Sequence, residues 1–123
     1  MARLTRRIVA ETADAPAAAA TWTSGDLALV FDGAAGTVTI GSRFAAFIFH
    51  EGQDFSWKIE GTDDGTAYYV LDESSGSVTG HSSGGKGLTV SAECPFKYVR
   101  LLVTNDGGAA ATTFAVAGAV RDA

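Results

Sequence analysis

The stretch FSWKIEGTDDGTAYYVL, residues 55–71, decides the fold. Its first half alternates: Phe55, Trp57 and Ile59 share one face, and Ser56, Lys58 and Glu60 the other. That period of two marks a strand with one buried and one solvated side. Thr62-Asp63-Asp64-Gly65-Thr66 is an acidic turn, and AYYVLD (67–72) reads as the return strand across the Asp-Asp-Gly connection.

The same grammar extends in both directions. LALVF (27–31) runs into Asp32-Gly33, TVTI (37–40) into Gly41-Ser42, and FAAFIFH (44–50) into the turn residues 51–54. After a polar stretch, ESSGSVTGHSSGGKG (73–87), read as an exposed loop, come LTVSA (88–92), KYVRLLVT (97–104) and TTFAVAGAV (112–120). Asn105-Asp106-Gly107-Gly108 is a further hairpin signal before the last strand. Eight or nine short strands and no convincing helix imply an all-β fold, an antiparallel β-sandwich or jelly roll of about eight strands. Residues 1–20 read as an extended N-terminal arm, in which RRIVAE adds one edge strand through Ile8 and Val9; residues 21–123 are the sandwich domain.

A chain of 123 residues is long enough for one packed core, and 46% hydrophobic with 19% charged residues fits a globular domain. Net charge is −5, with Arg3, Arg6 and Arg7 gathered at the start and an acidic body behind them. An acidic body repels phosphates, so a nucleic-acid partner is not expected. The basic start reads either as an arm for an acidic partner or as a solvated terminus. Cys94, the one cysteine, allows no intrachain disulfide and reads as a small buried hydrophobe. Glu11 and Asp14 interrupt what would otherwise resemble a signal peptide, so export is not expected, and no run approaches the ~18 apolar residues of a membrane helix.

Few residues point to chemistry. Gly80-His81-Ser82-Ser83-Gly84 matches a nucleophile elbow, but no helix follows and the other histidine, His50, lies upstream. Gly80 through Lys86 matches a phosphate loop except that Gly87 stands where Ser or Thr must hold magnesium. The reading that remains is a Gly/Ser loop with a lone His81, and His50 as a strand-end residue. Glu60, Asp63, Asp64, Asp72 and Glu73 cluster about one hairpin; Asp63 and Asp64 carry a minority calcium reading against the plainer one of turn chemistry. No cofactor and no catalytic residue is expected. Of the aromatics Trp22, Trp57, Tyr68 and Tyr69, one of the adjacent tyrosines must face outward and could meet a sugar ring.

FSWKIEGTDDGTAYYVL (55–71) and PFKYVRLLVTNDGGAAATTFAVAG (95–118) together resemble a β-sandwich pattern of tailed-bacteriophage virion proteins. In it, an acidic turn leads to an aromatic return strand, and a "kYvRv" strand and a final apolar strand follow. The resemblance covers about half the chain, with Thr62 where Ser is usual. It implies a structural, non-enzymatic role in the virion, assembled in the host cytoplasm, often as a homotrimer. Small size favours capsid decoration (a cement protein) over a fibre. The partners implied are the major capsid protein or another virion protein and further copies of the chain. On this reading Arg3, Arg6, Arg7 and Ile8 of the arm bind the capsid. The alternative is a carbohydrate-binding sandwich module, assisted by calcium or not.

Overall fold

The computed structural model describes residues 5–29 and 43–121, without the side chains of residues 5–7 and 121. Nine strands run through them: β1 (Thr5–Ala10), β2 (Thr21–Thr23), β3 (Leu27–Ala28), β4 (Arg43–His50), β5 (Phe55–Thr62), β6 (Tyr69–Glu73), β7 (Leu88–Glu93), β8 (Tyr98–Asn105) and β9 (Phe114–Arg121). They form a four-stranded sheet, β1-β9-β4-β7, and a five-stranded sheet made of the path β2-β8-β5-β6 and of β3, which also pairs with β8. Every strand pair is antiparallel. The fold is therefore an antiparallel β-sandwich.

Alternation explains which face each strand buries. Along β4, Phe44, Ala46, Ile48 and His50 point inward; along β8, Val99, Leu101, Val103 and Asn105 do. Phe55 and Ile59 of β5, with Phe114, Val116 and Val120 of β9, complete the core between the sheets. Trp57 is only partly buried and packs against this core, and Trp22 meets Phe114 edge-on at 5.7 Å. Asn105 is buried but satisfied: its amide donates to the carbonyls of Pro16 and Ala109, and its Oδ1 accepts the Gly107 N–H. Gly118 matters for spacing. A Cβ there would lie 3.0 Å from the Ala46 Cβ and 3.1 Å from Ile8 Cγ1, so only glycine lets β1 and β4 close on β9 without displacement.

The structure extends the sequence reading at three points. Residues 5–10 form the expected edge strand: all six pair with β9, and Ile8 (8% exposed) and Ala10 enter the core. Two inward apolar residues complete the core at that sheet edge, and a 3-10 turn, Thr12–Asp14, then turns the chain. The short strand β2, TWT, escapes a periodicity argument because it has three residues. It and β3 share β8, and Ser24 spans the gap between them, donating its N–H to the Leu101 carbonyl and accepting the Leu101 N–H on Oγ. The stretch 73–87 is largely exposed, as read, but it is fixed to the body at several points: Val78 and Phe55 exchange backbone hydrogen bonds, and Ser77 Oγ donates to Asp106. The strand expected at 37–40 and the end of the one expected at 27–31 lie outside the described residues.

Candidate functional site

The acidic turn is closed by its own side chains. Asp64 Oδ1 accepts the N–H groups of Thr66 (2.8 Å) and Ala67 (3.0 Å) and the Thr62 hydroxyl, while Thr62 Oγ1 accepts the N–H groups of Asp64 and Gly65. Hydrogen bonds from the Ala67 and Thr66 N–H groups hold the Asp64 carboxyl below its ordinary value. Asp63 turns away and accepts the Lys97 N–H at 2.9 Å, stapling the turn to the start of β8. Gly65 supplies the positive φ (+74°). Among the described residues, no three of His, Cys, Asp and Glu converge as metal ligands. The two carboxylates considered for calcium thus point to different backbone partners.

The proposed docking residues of the N-terminal segment are placed only in part. Arg3 lies outside the described residues. Arg6 and Arg7 sit in β1 opposite Val120 and Ala119. Ile8 faces the core opposite Gly118, which removes it from any partner surface.

The outward side of the five-stranded sheet carries the densest polar network. Arg100 of β8 donates from Nε (2.9 Å) and Nη2 (2.7 Å) to Glu60 Oε1 on β5, its cross-strand neighbour. The guanidinium also lies over the Tyr68 ring, 3.4 Å from the centroid. Tyr68 in turn donates its hydroxyl to both carboxylate oxygens of Asp26, at 3.0 and 2.9 Å. That hydrogen bond pushes the Tyr68 phenol above its ordinary value. Side-chain exposures of 24% for Arg100 and 12% for Glu60 keep water from competing fully. Beside this chain runs a groove of about 230 Å³, lined among others by Ser56, Trp57, Lys58, Glu73 and Thr104. Sequence reasoning singled out Glu60 and the tyrosines but missed their partners Arg100 and Asp26, because those pairings depend on strand register. Tyr68 faces Arg100, while Tyr69 stacks on Phe96 at 5.4 Å and stays 57% exposed.

The outward side of the four-stranded sheet differs. Register aligns Val9, Ala117, Phe47 and Thr89 in one row and Ala119, Ala45 and Ser91 in the next. Val9 is 71% and Phe47 40% exposed. Beside Phe47, the small residues Ala45, Ala117, Gly118 and Ala119 leave a shallow hollow. An Arg43–Glu93 ion pair at 3.0 Å marks the rim of this flat apolar face.

His50 ends β4, as the sequence implies, and His81 lies in the connection to β7, but the two are packed together. His50 is fully buried, and His81 packs beside it: His50 N–H donates to His81 Nδ1 at 2.9 Å, and His81 N–H to the His50 carbonyl at 2.8 Å. Held in this way, His81 is not positioned to activate Ser82. Parity within FAAFIFH was the available signal, since His50 shares the face of Phe44, Ala46 and Ile48. Cys94 is buried, and that burial raises its thiol above the ordinary value, as suits a structural cysteine.

No family model and no curated protein matches the chain. Among solved structures it is similar to the CBM22-1–GH10 modules of the Clostridium thermocellum endo-1,4-beta-D-xylanase 10B complexed with xylohexaose. Identity is 16% and TM-score 0.48, over 98% of this chain and 26% of that one. The chain thus spans about a quarter of the length of that structure.

Proposed function

We propose that the chain is a non-catalytic structural module of a tailed-bacteriophage virion, docking on a capsid or other virion protein through the outward face of its four-stranded sheet. The observation that carries this reading is that face itself. It presents Val9 and Phe47 over a floor of alanines, where a self-sufficient sandwich would place charged and polar residues. Flat apolar surface rimmed by charge is the anatomy of a protein contact, with the rim pair Arg43–Glu93 setting orientation more than affinity. The resemblance of residues 55–71 and 95–118 to virion sandwiches supplies the class of partner. Ile8 then acts from inside the core, and the basic segment contributes through Arg3, Arg6 and Arg7 only. A homotrimer remains part of the proposal, since several copies on one lattice gain affinity without large single interfaces.

The test is co-sedimentation of the purified protein with capsids of the phage that encodes it, comparing wild type with Phe47→Asp. Binding by wild type and at least tenfold weaker binding by the variant are expected. Equal sedimentation of both would refute the docking face. Deleting residues 1–20 is a poor probe, because it removes strand β1 along with the arginines.

A glycan-binding reading is favoured by one observation, the polar groove on the other sheet, whose Ser56, Lys58, Glu73 and Thr104 could meet sugar hydroxyls. Titration with an oligosaccharide array, read alongside Lys58→Ala, distinguishes the two; retention of no glycan would dismiss it.

A further inference from the structure

The two histidines are placed so that a second proton would be buried without an acceptor among the described residues at His50 and would break a hydrogen bond at His81. His50 Nδ1 lies 2.9 Å from the Gln53 carbonyl, which only accepts, so Nδ1 carries the hydrogen and Nε2 is bare. Nε2 is buried without a hydrogen-bond partner among the described residues, and the rings of Phe55 (5.1 Å) and Phe114 (5.8 Å) pack on the imidazole. His81 presents the opposite tautomer. Its Nδ1 accepts the His50 N–H, which only donates, so its proton sits on Nε2. The His81 ring stacks on Phe49 at 5.1 Å and leans on Phe55 at 5.3 Å. Adding a proton would place an N–H inside an aromatic cage at His50, or set N–H against N–H at His81.

What His81 holds is the segment between β6 and β7. Its carbonyl accepts the Gly52 N–H at 3.0 Å, its N–H bonds the His50 carbonyl, and Gly80 N–H reaches Asp54 Oδ1 at 3.0 Å. Gly80 lies so close to Gln53 that a Cβ would come 2.6 Å from the Gln53 carbonyl oxygen. The docked segment covers one side of Phe55 through Val78 and His81.

We propose that His50 and His81 form a proton-operated clasp: neutral, they hold the segment around residues 76–82 on the sandwich, and protonated, they release it and uncover the rings of Phe49 and Phe55. The charged groups nearby do not change the direction. Asp106 faces His50 from the β8–β9 connection and favours its charged form, yet burial outweighs it and lowers the His50 value. Burial, and then the neighbouring His50, lower that of His81. The side chains of Thr113 and then Thr112 hold the Glu51 carboxyl below its ordinary value, and Asp54 accepts the Gly80 N–H. Both histidines bind protons more readily unfolded than folded. Their contribution is therefore complete above the ordinary histidine value of about 6.5 and declines as pH falls below it toward their lowered folded values.

The experiment is residue-resolved hydrogen exchange, corrected for intrinsic rates, at pH 7.5 and 4.5, where most free carboxylates remain ionised. Protection at the amides of Gly52, Val78 and His81 should fall at least tenfold more than at Leu101 and Val103. In the double variant His50→Asn/His81→Asn, whose amides can replace the bonding ring nitrogens but cannot be protonated, the selective loss should vanish. Equal protection of the wild-type segment at both pH values, or acid opening that persists in the double variant, would overturn the clasp. A wild-type readout covers a variant that fails to fold. Long-range nitrogen–proton spectra at pH 7.5 should show the proton on Nδ1 of His50 and on Nε2 of His81, and any other tautomer pair contradicts the proposal.

Discussion

Truncating Phe55 to alanine tests the register on which the fold depends. The ring is fully buried at the first residue of β5, packed against His50 and His81, with Asn105 opposite on β8. Removing a buried phenylalanine costs the transfer of the ring plus the cavity it leaves, about 3–5 kcal/mol. A domain of this size has roughly 5–15 kcal/mol in total, so about a fifth or more of its stability should go. With an unfolding entropy of about 2.1 cal/mol/K per residue, a loss of ~4 kcal/mol lowers the Tm by about 15 °C. Urea unfolding followed by Trp22 and Trp57 fluorescence, with calorimetry for the Tm, measures both. The slope of stability against urea should stay unchanged while the midpoint drops. A loss below ~1 kcal/mol would show that Phe55 does not face the core, and with it the inward phase of the whole strand would fail.

Three further perturbations probe the surface networks. Replacing Glu60 by Gln leaves the half-buried Arg100 charge with a weaker partner and should cost about 1–3 kcal/mol; a Glu60→Gln/Arg100→Met cycle by urea unfolding should return a coupling near ~1 kcal/mol or more, and zero coupling would mean the pair is solvated. Asp64→Ala should accelerate amide exchange at Thr66 and Ala67 at least tenfold. Because the Asp64 carboxyl is held below its ordinary value, its contribution is present above about pH 4 and is lost as pH falls through the lowered folded value, which a carboxyl carbon NMR titration would follow. Ultraviolet titration should find a phenol ionisation above the usual value of about 10 that is lost in Tyr68→Phe and moved down in Asp26→Asn.

Most of the sandwich was legible because alternation survives in single strands. FSWKIEG, KYVRLLVT and TTFAVAGAV each announce which residues turn inward, and the strands form close to where the pattern places them. What alternation cannot show is pairing across sequence distance. RRIVAE is legible as an edge strand, but its partner β9 lies more than a hundred residues away, which a local reading cannot supply. Arg100 meets Glu60, and Asp26 meets Tyr68, only through the order of strands in the sheet. His50 ends β4 as expected, and its parity with Phe44, Ala46 and Ile48 was the usable signal for its burial. His81 carried none, since GHSSGG has no apolar anchor and its position is fixed by backbone contacts with residues 50–55.

The most direct measurement is site-specific photo-crosslinking on assembled particles. A photoreactive residue at position 117, in the middle of the four-stranded sheet's outward face, should give a covalent adduct with a capsid or other virion protein. The same group at position 58, on the opposite sheet, should give none. Adducts from position 58 alone, or from neither position on particles that carry the protein, would contradict docking through this face.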